Sequence, residues 1–341
     1  MMSIMIGTEA LSNKVNTFIR IKKERKTKMA SNLNRAKSAK NDEFYTRYET
    51  INAEINTNEH GYRPFFNGKV VYCNCDDPEE SNFWKFFKTV FKAYGLKKLI
   101  STHYTQDGSS SYKLEYDGER VVKAELEGNG DFRSPECVEL LKESDIVVTN
   151  PPFSLFIPFI ELLIQHDKKF IIIGNKNAIP LKNVFKLIQD EKVWTGYEIP
   201  KDFITPEREI TTKVNGLCRW FTNLDFPKRH DPLLMGWKYD MGVEMGMYAK
   251  YQNYDAININ EVCEIPKDYF GLMGVPITFL DKFCPEQFEI VGCASGWAHK
   301  NTTQEYKEAV GYKPLVSDQG TRGYGIVDGK QKYHRLLIRR K

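Results

Sequence analysis

Asp145-Ile146-Val147-Val148-Thr149-Asn150-Pro151-Pro152-Phe153 is the stretch on which the fold turns. Its first five residues form a short apolar run, the pattern of a strand buried in a sheet. A strand cannot continue through two prolines, because each removes a ladder donor and fixes φ. The chain must therefore leave the sheet at Asn150. A side-chain amide, stiff backbone carbonyls and an aromatic face are gathered at the strand's carboxyl end, where open α/β sheets bind their ligands. Such a cluster suits the gripping of a planar amino group about to be alkylated. The plainer reading is a strand-ending turn that happens to hold two prolines.

Working outward, residues 154–163 read as a following helix, and 169–174 and 217–222 as further strands. Upstream, Val70-Val71-Tyr72-Cys73-Asn74 reads as a first strand, 78–94 as an aromatic-rich helix and 96–102 as a second strand. Residues 112–126 read as a hairpin turning at Asp117-Gly118, and 41–58 as a helical lead-in. Strands alternating with helices argue for an α/β fold, a mostly parallel sheet with helices on both faces. From Asp225 to Gly274 prolines, glycines and aromatics lose clear periodicity; beyond, 276–283 read as a short helical run and 288–293 and 333–338 as strand-like pieces. This predicts three regions: a basic arm over 1–40, a catalytic domain over 41–224, and an irregular C-terminal lobe over 225–341.

The chain has 341 residues, 41% hydrophobic and 28% charged, enough to bury a sizeable core. No apolar stretch approaches the roughly 20 residues that span a bilayer. The N-terminus is apolar only briefly and then basic, so it is not read as a signal peptide. Seven scattered cysteines lack paired zinc-ligand spacing. No metal is expected, and a reduced, cytoplasmic protein is. The net charge of +4 is unevenly spread, with basic residues crowded into 20–40 and into Arg335-Leu336-Leu337-Ile338-Arg339-Arg340-Lys341. Such clusters neutralise phosphates, or simply form a solvated arm. Met29 is a second candidate start.

The loop after the first strand reads Cys73-Asn74-Cys75-Asp76-Asp77-Pro78-Glu79-Glu80. Asp77 reads as a helix N-cap, with Pro78 at the first helical position and Glu80 at capping-box spacing. Glycine-rich phosphate fingerprints are missing. Two carboxylates disfavour a pyrophosphate and favour a ligand with a cationic part, such as an amino-acid ammonium. A second candidate is Gly128-Asn129-Gly130-Asp131-Phe132. There Asp131 can accept from an exocyclic amine and Phe132 can stack on a purine, although Gly-Asp is equally common in plain turns.

Together these residues resemble the S-adenosylmethionine-dependent amino-methyltransferases of DNA, and within them the EcoRI-type adenine-specific enzymes. Lys40-Asn41-Asp42-Glu43-Phe44-Tyr45-Thr46 resembles that family's N-terminal cofactor segment. Cys73-Asn74-Cys75-Asp76-Asp77-Pro78 with Ser81-Asn82-Phe83 resembles its replacement for the glycine-rich loop. Asp131-Phe132 resembles its adenine-binding element and Asn150-Pro151-Pro152-Phe153 its catalytic motif. Arg219-Trp220-Phe221-Thr222-Asn223 and Val275-Pro276-Ile277-Thr278-Phe279-Leu280 are similar too. The chain departs from the broader pattern where Ser101-Thr102-His103 replaces an acidic ribose ligand, with Asp107 the substitute candidate.

The resemblance implies a Rossmann-like methyltransferase fold with a target-recognition lobe. It implies S-adenosyl-L-methionine held by Tyr45, Thr46, Asn74, Asp76, Asp77, Asp131 and Phe132. Asn150, Pro151, Pro152 and Phe153 would act on N6 of an adenine flipped out of double-stranded DNA. The Asn150 oxygen and the Pro151 carbonyl would accept the amino hydrogens and Phe153 would stack on the base. Lys228, Arg229, Lys300, Arg322, Lys330, Lys332, Arg335, Arg339 and Arg340 are candidate DNA contacts. A monomer is expected, and a cognate restriction endonuclease is left open as a partner. Rival readings are cytosine-N4, RNA or protein amino-methylation, a non-catalytic nucleic-acid-binding module, and a nuclease.

Overall fold

Four apolar runs of four to seven residues pair side by side at the centre of the protein. The computed structural model describes residues 44–56, 61–75, 77–105, 110–205, 207–295, 297, 303–315 and 323–341. The basic arm, Asp76, Asp107, Lys300 and Arg322 lie outside the described residues. The chain begins with β1 (Tyr45–Thr46), α1 (Tyr48–Ile55), α2 (Arg63–Phe66), β2 (Val70–Cys73), α3 (Asn82–Tyr94) and β3 (Lys98–Thr102). A hairpin of β4 (Tyr112–Tyr116) and β5 (Val121–Glu125) leads to α4 (Pro135–Glu143), β6 (Ile146–Thr149), α5 (Phe156–Gln165), β7 (Lys169–Asn175) and α6 (Lys182–Gln189). The two-residue strands β8 (Trp194–Thr195), β9 (Phe203–Ile204) and β10 (Ile210–Thr211) precede β11 (Cys218–Thr222). Beyond them lie α7 (Tyr239–Glu244), β12 (Ile257–Asn258), β13 (Met273–Pro276), β14 (Phe288–Ala294), α8 (Gln304–Ala309), β15 (Ile326–Val327), β16 (Lys330–Gln331) and β17 (Arg335–Arg340).

The main sheet has eight strands in the order β5-β4-β3-β2-β6-β7-β11-β8. Strands β3, β2, β6 and β7 are mutually parallel; β4 and β11 flank them antiparallel, and the outermost β5 and β8 pair antiparallel with β4 and β11 in turn. The expectation of a mostly parallel sheet is corrected to a mixed one with a parallel centre. A parallel return needs a crossover of a dozen or more residues, and β4 follows β3 through only nine residues. It must run back antiparallel. The hairpin turns at Asp117, whose carboxylate accepts from the amides of Glu119 and Arg120 (both 2.9 Å).

Alternate residues of the parallel strands serve opposite faces. Val71, Cys73, Ile146, Val148, Ile171 and Ile173 pack with α1, α2 and α3. Val70, Tyr72, Val147, Phe170 and Ile172 pack with α4, α5 and α6. Helix α3 buries six aromatic side chains, among them Phe83, Phe86 and Phe87. Aromatics are mediocre helix formers, but burying each large apolar side chain contributes about 1.5–3 kcal/mol, so packing holds this helix. Its start is a second correction. Ser81, not Asp77, is the N-cap, its Oγ accepting from the amides of Phe83 (3.1 Å) and Trp84 (3.5 Å). Residues 78–80 form a preceding turn.

After residue 224 the chain is more regular than its sequence suggests. A second sheet runs β12-β13-β17-β14, with β17 antiparallel to both neighbours. Its apolar side, including Met273, Val275, Leu336 and Ile338, shares one buried cluster with α5 and α6. Arg219 Nε reaches both carboxylate oxygens of Asp281 (2.9 and 3.0 Å) and Thr195 Oγ1 donates to the Leu280 carbonyl (3.1 Å). A buried carboxylate ties α1 to the rest. Glu54, fully buried, accepts from Tyr62 Oη (2.9 Å) and from the amides of Tyr197 (2.9 Å) and Glu198 (2.7 Å). Among the described residues no helix is long and apolar enough to cross a membrane.

Candidate active site

The carboxyl ends of β2, β3 and β6 open into one cleft, the place where open α/β sheets bind their ligands. Its walls bring together Tyr45, Asn74, Asp77, Asp131, Phe132, Asn150, Pro151 and Pro152, all singled out in the sequence. The walls also include Phe44, His103, Tyr104 and Leu155. Two candidates lie off the walls. Thr46 is 2% exposed; its carbonyl accepts from Asn82 Nδ2 (2.8 Å). Phe153 begins a single 3-10 turn and its half-buried ring lies 6.0 Å from that of Phe44. Asp76 lies outside the described residues. The Cys75 amide donates to Thr149 Oγ1 (3.2 Å), joining the ends of β2 and β6.

Asn150 is 6% exposed. Its Nδ2 donates to the Phe44 carbonyl (2.5 Å), and its Oδ1 is buried without a partner among the described residues. The contact fixes which way the amide faces, because a carbonyl can only accept. The amide oxygen is thereby left as the open acceptor. Phe44 is kept in place by β1, which pairs antiparallel with β9. Phe44 also packs on Phe203. A residue 106 positions away in sequence therefore orients the Asn150 side chain.

Two more groups line the same cleft. Asn74 is 2% exposed, and its Nδ2 has no partner among the described residues. Asp77 Oδ1 accepts from Tyr112 Oη (3.1 Å) and from the Glu79 amide (3.0 Å). Its Oδ2 lies 3.6 Å from His103 Nε2. The His103 ring stacks on Tyr112 at 4.8 Å and 24°. Burial and the Asp77 carboxylate push the Tyr112 hydroxyl well above its ordinary pKa, so it stays a donor. Asp131 is engaged by its neighbour: Oδ1 accepts from the Arg133 amide (2.8 Å) and Nε (2.9 Å), and Oδ2 pairs with a terminal guanidinium nitrogen (2.6 Å). That pairing holds its carboxyl below the usual range. Phe132 is 5% exposed, its ring edge-on to Phe159.

Gly130 sets the position of this loop. Its φ is +76°, and a Cβ there would strike the His103 carbonyl and Ser111 Oγ. The loop thus lies directly on the end of β3, and the Thr105 amide donates to the Asn129 carbonyl (2.9 Å). Gly130→Ala is expected to destabilise the protein by more than about 1 kcal/mol and to weaken nucleoside binding. A melting curve and a titration with S-adenosylhomocysteine measure both.

Sequence reasoning noted His103 only for not being acidic; its place at the tip of the second parallel strand was the available signal. Several candidate DNA contacts are engaged within the protein, Arg229 and Lys228 among them. The Arg229 guanidinium pairs with Glu191 (2.6 Å) and Asp225 (3.0 Å) and lies over Trp194. Lys228 donates to the Tyr197 carbonyl (2.7 Å). Lys330 and Arg339 remain exposed, and Lys332 is half-buried. Among the described residues no group of three or more His, Cys, Asp or Glu side chains could hold a metal ion.

The family model described as "Adenine-specific methyltransferase EcoRI" matches residues 32–341. The type II methyltransferase M.EcoRI of Escherichia coli is 43% identical over 342 residues, covering 91% of this chain and 96% of that protein. The type II methyltransferase M.MpnI of Mycoplasma pneumoniae is 40% identical over 327 residues, covering 90% and 98%. No solved structure matches at a significant level. The chain therefore belongs to the EcoRI-type family of adenine-specific DNA methyltransferases, which take their methyl group from S-adenosylmethionine.

Proposed function

We propose that the cleft at the ends of β2, β3 and β6 methylates N6 of an adenine flipped out of duplex DNA, with Asn150 and Pro151 as the groups that activate the nitrogen. The observation that carries this reading is the Asn150 side chain: Nδ2 is held by the Phe44 carbonyl and Oδ1 is buried without a partner among the described residues. A buried, unpaired acceptor costs roughly 1–3 kcal/mol. A substrate N–H would satisfy it.

The exocyclic nitrogen of adenine is a weak nucleophile because its lone pair is delocalised into the ring. Acceptors aimed at its hydrogens favour a pyramidal nitrogen with an available lone pair. Asn150 Oδ1 serves as one acceptor. The Pro151 carbonyl serves as the other, on a backbone whose φ is fixed and which carries no competing N–H. Both are preset before substrate arrives, which is the form of electrostatic catalysis that needs no reorganisation. The proton leaves to water. We place Pro152 in the rigid wall of the cleft and Phe153 beside the entering base.

The residues present suit S-adenosylmethionine. Asn74 offers an unpartnered donor, Asp77 a carboxylate, and Asp131-Phe132 a polar and apolar seat for the purine. When bound, that group supplies an electrophilic sulfonium methyl. We assign Tyr45 to the wall closing over it, and Thr46 and Asp76 to its surroundings. Four parallel strands with helices on both faces support a Rossmann-like methyltransferase arrangement.

We assign residues 41–224 to catalysis and 225–341 to target recognition, acting as a monomer. Exposed Lys330 and Arg339 support a DNA surface there. Flipping a base costs a few kcal/mol, and contacts on that surface offset it. The test incubates the protein with methyl-labelled S-adenosylmethionine and duplex genomic DNA, then separates the nucleosides. Label in N6-methyldeoxyadenosine is expected. Label in N4-methyldeoxycytidine, RNA or protein instead overturns the reading.

A further inference from the structure

We infer that Asp77 binds the ribose hydroxyls of the cofactor, positioned for it by Tyr112 and the Glu79 amide. This rests on the reading of the cleft as the S-adenosylmethionine site. Nucleoside-binding α/β folds commonly place an acidic residue where it reaches the ribose, at the tip of the strand beside the first. Here that tip is β3, and its last residues do not reach into the cleft. Ser101 and Thr102 are 0% and 1% exposed. Ser101 Oγ donates to the Cys73 carbonyl (2.8 Å), and Thr102 Oγ1 is hydrogen-bonded with Tyr72 Oη (3.1 Å).

A ribose diol presents two O–H donors. A neutral imidazole accepts at one nitrogen only, whereas a carboxylate is acceptor-only at both oxygens. Asp77 brings such a carboxylate to this place from the other side, out of the loop after β2. Its two oxygens are not equivalent. Oδ1 already takes Tyr112 Oη and the Glu79 amide. Oδ2 faces His103 Nε2 at 3.6 Å, too long for a hydrogen bond, and so has room for a hydroxyl. Tyr112 belongs to β4, the next strand after β3, and its ring backs the His103 ring. The carboxylate is therefore held over the tip of β3.

The rest of the cleft continues from this seat. Gly130 lies against the His103 carbonyl, so the Asp131-Phe132 purine seat adjoins it. Asn74, with its open donor, lies on the wall shared with Asn150, where the methionine carboxylate would sit. This assignment moves Asp77 from the ammonium, the role its charge first suggested, to the ribose.

The two roles separate in a calorimetric titration with S-adenosylhomocysteine and its 2′-deoxy and 3′-deoxy analogues. The wild-type protein is expected to prefer the full ribose by roughly 10- to 100-fold, the scale of hydrogen bonds to a charged group. Asp77→Asn is expected to weaken the full ligand by a similar factor while hardly affecting the deoxy forms, so the preference collapses. Tyr112→Phe, which removes one hydroxyl from the carboxylate's support, is expected to shrink the preference partially. If Asp77→Asn weakens all three ligands equally, Asp77 serves the ammonium and the inference is overturned. An unchanged preference overturns it as well. Failure of the wild-type protein to bind S-adenosylhomocysteine overturns instead the reading of the cleft on which the inference rests.

Discussion

Asn150→Ala is expected to slow methyl transfer by roughly 10²- to 10³-fold, the usual cost of deleting one preset polar group that acts on developing charge. Affinity for S-adenosylhomocysteine should change little, because Asn74, Asp77 and Asp131 remain. The substitution removes the open acceptor Oδ1 together with the Nδ2 contact to Phe44. A melting curve therefore accompanies the rate measurement, since losing that contact loosens the hold on β1. Asn150→Asp separates the two parts. It keeps the acceptor but turns a carboxylate oxygen toward the Phe44 carbonyl, where two acceptors repel. Single-turnover rates with saturating DNA should fall for both variants. Undiminished transfer by Asn150→Ala would remove Asn150 from the mechanism.

Glu54→Leu is expected to cost about 3–5 kcal/mol of stability, although it lies away from the chemistry. Three donors, Tyr62 Oη and the amides of Tyr197 and Glu198, lose their acceptor in a fully buried place. Each orphaned donor costs about 1–3 kcal/mol. Burial pushes the Glu54 carboxyl up to about 7, against the opposing pull of those donors. The sign follows from linkage. With a folded pKa above the unfolded one, the folded protein binds more protons between about 4.5 and 7. Glu54's contribution is thus fully present below that window and declines as pH rises through it. The stability lost on Glu54→Leu should be larger at pH 5 than at pH 8. Urea titrations of both proteins at the two pH values measure this, and an equal or opposite difference would remove the pH linkage.

The central sheet was legible because its signals are local. An apolar run ending in Asn150-Pro151-Pro152 can only be a strand that stops, and Asp117-Gly118 can turn a hairpin within a few residues. What was not legible depended on partners distant in sequence. Asp77 satisfies every local rule for a helix cap, yet it is engaged by Tyr112, 35 residues later, while Ser81 caps α3. Asp131 offers a free carboxylate in sequence, but Arg133 occupies it in the fold. Of the second sheet, β14 and β17 are legible as strand-like pieces, but β12 and β13 are only two and four residues long and sit among irregular loops. Only their pairing shows that Met273 and Ile338 are partners. Likewise nothing near Asn150 announces that the Phe44 carbonyl orients its amide. The candidate residues were read from local chemistry; their orientation comes from long-range contacts.

The most direct measurement is a crystal structure of the protein with duplex DNA and a non-reactive S-adenosylmethionine analogue. The expected result is an adenine outside the helix with N6 about 2.9 Å from both Asn150 Oδ1 and the Pro151 carbonyl, and Asn150 Nδ2 still on Phe44. A stacked adenine, or a base whose N6 faces neither oxygen, would contradict the account.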